Sequence, residues 1–289
     1  MELSPGVTFA VLGAALLHAS WNALIKAGRD PLLDTALVAL GGSIVALPLT
    51  LLVQAPERAA WPYIAATVVV HVGYYSALAA AYRLGDLSHA YPIMRGVAPL
   101  FVALASGFWF AEPLSASAWA GVLLICGGVL SLAFVGRRKG RGAGAAAGKD
   151  AGATTLWALF SAGVIAVYTV IDATGVRASG GAERYLVWLF VFLGLPFGLT
   201  VLATKRGALL AHARRYWWVG IAGSVLSGLS YGIALWAMMR APVALIAALR
   251  ETSVIFAALI GAWLLKEGHL KARLAGAAAV LAGLIALKL

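Results

Sequence analysis

The stretch that decides the fold is PIMRGVAPLFVALASGFWFAEPLSASAWAGVLLICGGVLSL, residues 92–132, because a relative of it stands later in the same chain. A shift of 155 residues lays it without a gap on AALRETSVIFAALIGAWLLKEGHLKARLAGAAAVLAGLIAL, residues 247–287. Arg95 falls on Arg250, Phe101 on Phe256, Glu112 on Glu267, Gly121 on Gly276 and Gly128 on Gly283. Apolar helices match one another by chance; an Arg and a Glu kept in one ungapped register are a stronger sign of an internal repeat.

The surrounding chain says where such repeats live. Of 289 residues, 62% are hydrophobic and 11% charged, and the mean hydropathy is +0.92. That leaves too few charges to coat a soluble domain, whereas apolar runs of about 20 residues suit a hydrocarbon core about 30 Å thick. Ten spans are expected, at 6–26, 32–54, 61–82, 88–111, 115–135, 154–176, 184–204, 215–237, 242–265 and 271–288. Met1–Lys26 lacks the basic start of a signal peptide, and further apolar segments follow it, so it reads as the first span.

The Gly/Ala/Arg segment 136–153 has no apolar periodicity and reads as a flexible basic linker. It divides the chain into 1–135 and 154–289, two halves of five spans each. Five is odd, so the second half enters the membrane from the opposite side, an inverted repeat of the kind found in secondary transporters. The fold class expected is an all-α polytopic membrane protein, with ten transmembrane helices in two inverted halves around a central cavity.

The net charge of +11 comes from Lys and Arg in the connections, as membrane topology requires, and not from a soluble nucleic-acid-binding surface. Connections after odd-numbered spans hold 15 of the 22 basic residues, those on the other side hold five, and Arg95 and Arg250 lie within spans. The positive-inside rule makes the richer face cytoplasmic and puts both termini outside, in the periplasm of a bacterial inner membrane. The single cysteine, Cys126, cannot form an intrachain disulfide.

At the helix ends stand AEPLSASAWAGVLLICGGVL (111–130) and KEGHLKARLAGAAAVLAGLI (266–285). With ten spans in two halves, these motifs resemble the drug/metabolite transporter superfamily and its EamA-type members, and within them the YddG-type exporters of amino acids. Ala111 and Lys266 replace the usual Gly before the Glu, a departure confined to loop geometry. The resemblance implies a central path lined by helices 1, 3, 4, 6, 8 and 9, with helices 5 and 10 peripheral. It implies secondary transport of small metabolites, amino acids foremost, by alternating access. Drugs or organophosphates are the alternative cargo, and an intramembrane enzyme is a remote one. A ten-helix pseudo-dimer encloses a path within one chain, so a working monomer in the bilayer is expected.

Polar side chains on those helices fall at helical spacing, as a shared face demands. Span 1 offers His18, Asn22 and Lys26. Span 3 offers His71, Tyr75 and Tyr82, with Tyr74 beside them, and span 4 sets Tyr91 one turn before Arg95. Span 6 sets Tyr168 before Asp172, and span 8 aligns Ser224, Ser227 and Tyr231. The substrate-binding candidates are Asn22, His71, Tyr74, Tyr75, Tyr91, Arg95, Tyr168, Ser227, Tyr231, Arg250 and Glu251. Each has a plainer reading. Tyr82 and Tyr185 suit interfacial anchors, His18, His71 and Asn22 suit helix–helix hydrogen bonds, and Asp172 suits a solvated helix end.

An Arg at mid-membrane costs about 2.5–3.5 kcal/mol even on the insertion scale, so Arg95 and Arg250 need partners. Snorkelling, or for Arg250 a local pair with Glu251, would serve a structural role. Forked binding of a substrate carboxylate would serve a functional one. Inverted topology sets Arg95 nearer the cytoplasmic mouth and Arg250 nearer the outer one. Pro92 and Pro99 are expected to bend span 4, and Glu112 and Glu267 to cap or tie helix ends. No P-loop, metal-ligand spacing or nucleophile elbow is present, so no cofactor, metal or catalytic residue is expected.

Overall fold

The computed structural model describes residues 3–84, 87–140, 151–263 and 270–287. For 75–84, 87–90, 132–140, 151, 258, 261–263, 270–275 and 277 it describes the backbone alone. These residues form eleven α-helices and one 3-10 turn, with no strand among them. Helix α1 (Pro5–Ala27) starts where Ser4 Oγ accepts the amide of Val7 at 3.3 Å. Helix α2 (Pro31–Leu49) starts where Asp30 accepts the amides of Leu32 and Leu33 at 3.0 and 3.1 Å. In both, Pro takes the first helical position, where a missing N–H costs nothing.

There follow the 3-10 turn Arg58–Ala60, α3 (Trp61–Leu84), α4 (Leu87–Trp109), α5 (Ala116–Gly140) and α6 (Ala151–Arg177). Then come α7 (Ala182–Leu193), α8 (Leu195–Met238), α9 (Val243–Arg250), α10 (Ser253–Trp263) and α11 (Leu270–Ala286). Each expected span meets helix, with three differences. Span 7 is divided at Gly194 into α7 and the start of α8, and α8 joins that second part to span 8 in one helical run, bent at Lys205 (φ −132°, ψ 35°) and Tyr216 (φ −119°, ψ 19°). Span 9 is two helices, α9 and α10. At the break Val254 N donates to Glu251 O and Ile255 N to Thr252 O, three-residue bonds that replace the α ladder.

The third difference concerns the linker. Helix α5 runs on to Gly140 and α6 begins at Ala151, so both ends of the expected linker 136–153 are helical. The Arg137–Arg138–Lys139 run explains the extension, because cations favour a helix C-terminus and tolerate the interface where this one emerges. Residues 141–150, and Glu267 with its expected capping role, lie outside the described residues.

Among the described residues five stretches are long and apolar enough to cross a membrane: Pro5–Ala27, Pro31–Leu49, Tyr91–Trp109, Gly152–Arg177 and the run Ala182–Met238. Packing follows the repeat. Exchanging the halves swaps α1 with α6, α3 with the second part of α8, and α4 with α9–α10. The contact of α1 with α8 then maps onto that of α3 with α6, and α4 on α6 maps onto α1 on α9 and α10.

The sharpest sign is the crossing of α5 and α11. A Cβ built on Gly121 comes within 2.9 Å of the Gly283 carbonyl oxygen, and one on Gly128 within 2.9 Å of that of Gly276. Gly121 is the repeat partner of Gly276, and Gly128 of Gly283, so the helices meet antiparallel through a self-complementary contact. Only glycine lets the backbones approach so closely. Gly128→Val is therefore expected to cost about 1–3 kcal/mol as overpacking. It should lower the detergent-solubilised melting temperature, while Gly127→Val, with nothing within 4 Å of its Cβ, leaves it unchanged.

The largest apolar core joins α1, α4, α5, α6, α8, α9 and α11. Helix α9 is buried from Val243 to Leu249, which is why its sequence, VALIAALR, shows no polar face before Arg250.

Candidate functional site

Arg95 and Glu251 meet from opposite halves. Arg95, two turns into α4, places Nε 3.0 Å from Glu251 Oε2, and the two side chains are 12% and 5% exposed. Arg95 Nη2 also donates to Ser253 Oγ at 3.4 Å. Glu251 sits at the α9–α10 break, so the helix opens where its carboxylate turns to a cation on another helix. The sequence suggested a local pair of Glu251 with Arg250. Distance corrects that reading, because the guanidinium within bonding reach is that of Arg95.

Arg250 has a different neighbour. Its guanidinium carbon stands 5.3 Å from the centroid of the Tyr231 ring, a cation–π contact. Among the described residues it makes no ion pair and no hydrogen bond. Tyr231 links it to a second cluster, because the same residue's hydroxyl donates to Asp172 Oδ2.

Asp172 closes the site on another side. It is 0% exposed, a correction to the solvated helix end that its position suggested. Its Oδ1 accepts the hydroxyls of Thr67 at 2.6 Å and Tyr185 at 2.7 Å, and its Oδ2 accepts that of Tyr231. The donors come from α3, α7 and α8, so one carboxylate on α6 ties four helices together. Tyr185 was expected at the membrane interface as an anchor. It is fully buried instead, because its hydroxyl finds a carboxylate one helical hairpin away.

An aromatic group lies beside these charges. His71 and Tyr168 stack with centroids 4.4 Å apart, and Tyr74 meets each edge-on at 6.1 Å. His71 Nδ1 bonds the Thr67 carbonyl at 2.9 Å, which makes Nδ1 the protonated nitrogen. Tyr91 packs with Tyr74 and Tyr168 on one apolar cluster.

Other candidates are placed less centrally. Asn22 Nδ2 donates to the His18 carbonyl at 2.8 Å within its own helix, and Trp21 Nε1 donates to His18 Nδ1 at 3.3 Å. Ser227 is half-buried on α8, and the Tyr75 side chain lies outside those described. Nearby Ser230 donates to the Ala14 carbonyl at 2.7 Å, a bond between α8 and α1.

Beyond Arg250 the halves are joined again. Glu112, between α4 and α5, accepts Arg177 Nη2 at 2.8 Å and the Val243 amide, the first of α9, at 3.0 Å. Arg177 also gives Nε and Nη2 to the Met238 carbonyl at 3.0 and 2.8 Å and lies 4.6 Å from the Phe110 ring centroid. A carboxylate at a helix N-terminus and a guanidinium at a helix C-terminus each answer the local dipole.

The site thus combines buried balanced charge, an aromatic group and helices drawn from both halves of a membrane fold. Residues 5–134 match the EamA-like transporter family. Those residues are an EamA domain of the drug/metabolite transporter superfamily. No curated protein matches the chain. Among solved structures 27 chains match. One of them, a crystal structure, aligns with a TM-score of 0.69 at 20% identity, over 97% of this chain and 94% of that one. That likeness speaks for the fold and extends it through the second half, beyond the EamA match.

The EamA match over residues 5–134 indicates a transporter of small molecules of the drug/metabolite type rather than an enzyme, and the apolar helices indicate a multi-pass membrane protein. Asp172, Thr67, Tyr185, Ser253, Glu112 and Arg177 belong to the polar framework although none was among the binding candidates. The i+4 steps Thr67–His71 and Tyr168–Asp172 were the available signal. They show a shared face but not which face it meets.

Proposed function

We propose that the protein exports small amphipathic metabolites, amino acids foremost, across a bacterial inner membrane by alternating access. The two halves, 1–135 and 154–289, would form the moving frame, and the excess of Lys and Arg after odd spans would keep both termini outside.

The observation that carries this reading is the charge balance of the polar centre. Two buried or half-buried cations, Arg95 and Arg250, face two buried anions, Glu251 and Asp172. Asp172 has three hydroxyl donors and Glu251 has Arg95, which leaves Arg250 with a ring face alone. A zwitterion enters such a site without changing its net charge. Its carboxylate forks onto Arg250 with two parallel hydrogen bonds, its ammonium is drawn towards Glu251, and its side chain meets His71, Tyr74 and Tyr168. An organophosphate would bring uncompensated negative charge.

The test is counterflow into proteoliposomes with a panel of labelled amino acids, with and without a proton gradient. Arg250→Ala is expected to lower uptake more than tenfold, because each charge-assisted bond is worth about 1.5–3 kcal/mol. Arg250→Lys should recover little, since an ammonium cannot fork. The melting temperature without substrate should move little, as Arg250 is held by the Tyr231 ring alone and by no ion pair among the described residues. Unchanged uptake by Arg250→Ala, or transport of another metabolite class with none of any amino acid, would overturn the reading.

A further inference from the structure

We propose that the bend of α8 binds the headgroup of an anionic phospholipid. The run from Leu195 leaves helical geometry at Lys205 and again at Tyr216, which sets 205–216 apart as a short segment between two spans. It is held from inside. Leu209 is 2% exposed in a cluster with Leu33, Ala36 and Val201, and His212 Nε2 meets Asp34 Oδ1 at 2.7 Å. Asp34 is itself buried against the end of α1: a Cβ on Gly28 would lie 1.9 Å from Asp34 Oδ2.

The outward face has the opposite character. Lys205, Arg206, Arg214 and Arg215 are all exposed, and α8 contains no acidic residue. Among the described residues Lys205, Arg206 and Arg214 have no acidic partner, and the nearest packed acid, Asp34, is taken by His212. Arg215 lies 5.7 Å from the Tyr216 ring centroid.

An open groove of about 560 Å³ spans the first bend, lined by Leu199, Leu202, Ala203, Arg206 and Leu210. Just past the second bend Trp217 and Trp218 are 64% and 48% exposed, and indoles suit the headgroup level. An apolar groove with the Arg206 guanidinium in its wall, on a segment that carries three further exposed cations, matches one molecule in two parts. Acyl chain lies along the leucines, and phosphate stands against Arg206 and Lys205. The unpaired positive charge selects an anionic headgroup over a zwitterionic one.

Native mass spectrometry of the full chain, released from neutral detergent with phosphatidylglycerol or phosphatidylcholine, tests this apart from transport. Phosphatidylglycerol is expected to be retained preferentially. A surface cation is worth about 1 kcal/mol towards anionic lipid, so Arg206→Gln should weaken that retention about fivefold, and adding Lys205→Gln should weaken it further. Arg240→Gln, at the other end of α8, should leave it unchanged. Equal retention of both lipids would make the groove an ordinary contact with bulk acyl chains and overturn the proposal, as would unchanged retention in the double variant.

Discussion

Glu251→Met is expected to destabilise the protein more than any other single change at the polar centre, by about 3–5 kcal/mol, the cost of leaving a buried ion without its partner. Without the carboxylate, Arg95 keeps only the 3.4 Å bond to Ser253 among the described residues. Arg95→Met should cost less, because a buried carboxyl left without its cation can take up a proton and become neutral, which a guanidinium cannot do. Combining the two removes both ions, and an apolar pair of similar volume in a buried site is often neutral. The double variant should therefore regain most of the loss. Chemical denaturation of all four proteins measures the coupling, and additive losses below about 1 kcal/mol each would show that the contact at 3.0 Å contributes nothing. The same four proteins separate scaffold from transport. A stable double variant that still moves substrate makes the pair structural, and a stable double variant that does not gives it a place in the cycle.

The membrane fold was legible because hydropathy and the 155-residue repeat are both written along the chain. The repeat also gave the α5–α11 crossing its residues, since Gly121, Gly128, Gly276 and Gly283 were paired by register before their contacts were known. What was not legible depended on partners far away in sequence. The α9–α10 break has no Gly or Pro at its turn; it coincides with a side-chain pairing that no local pattern announces. Glu112 was readable as a cap, but not as the cap of α9, whose first amide is 131 residues on. Tyr185 was misplaced for the same reason. A tyrosine near a span's start fits an interface belt, and only the packing of α7 on α6 turns it towards Asp172. Helix α5 outran its expected end because apolarity marks the hydrocarbon boundary and not the end of the helix.

Asp172→Ala should be the second costly change, and for a different cause. It removes no ion-pair partner at bonding distance; it strands three hydroxyls. Thr67 and Tyr185 are both 0% exposed, so neither finds water, and a buried donor left unmade costs about 1–3 kcal/mol. Asp172→Asn keeps one carbonyl acceptor but turns an amide towards the remaining hydroxyls, so an intermediate loss is expected. Tyr185→Phe and Thr67→Val each remove a single donor to a charged group and should cost about 1.5–3 kcal/mol. Tyr231→Phe divides the roles of one residue. The ring stays for Arg250, but Asp172 Oδ2 loses its described donor and becomes free to take a cation. If Asp172 only clasps α3, α6, α7 and α8, Tyr231→Phe and Tyr185→Phe will lower the melting temperature alike and leave the concentration dependence of transport unchanged. Under the amino-acid reading, Tyr231→Phe alone should also shift that dependence, since the exposed carboxylate oxygen then competes for Arg250 with the substrate carboxylate. Equal transport curves for the two variants would leave Asp172 as a clasp and nothing more.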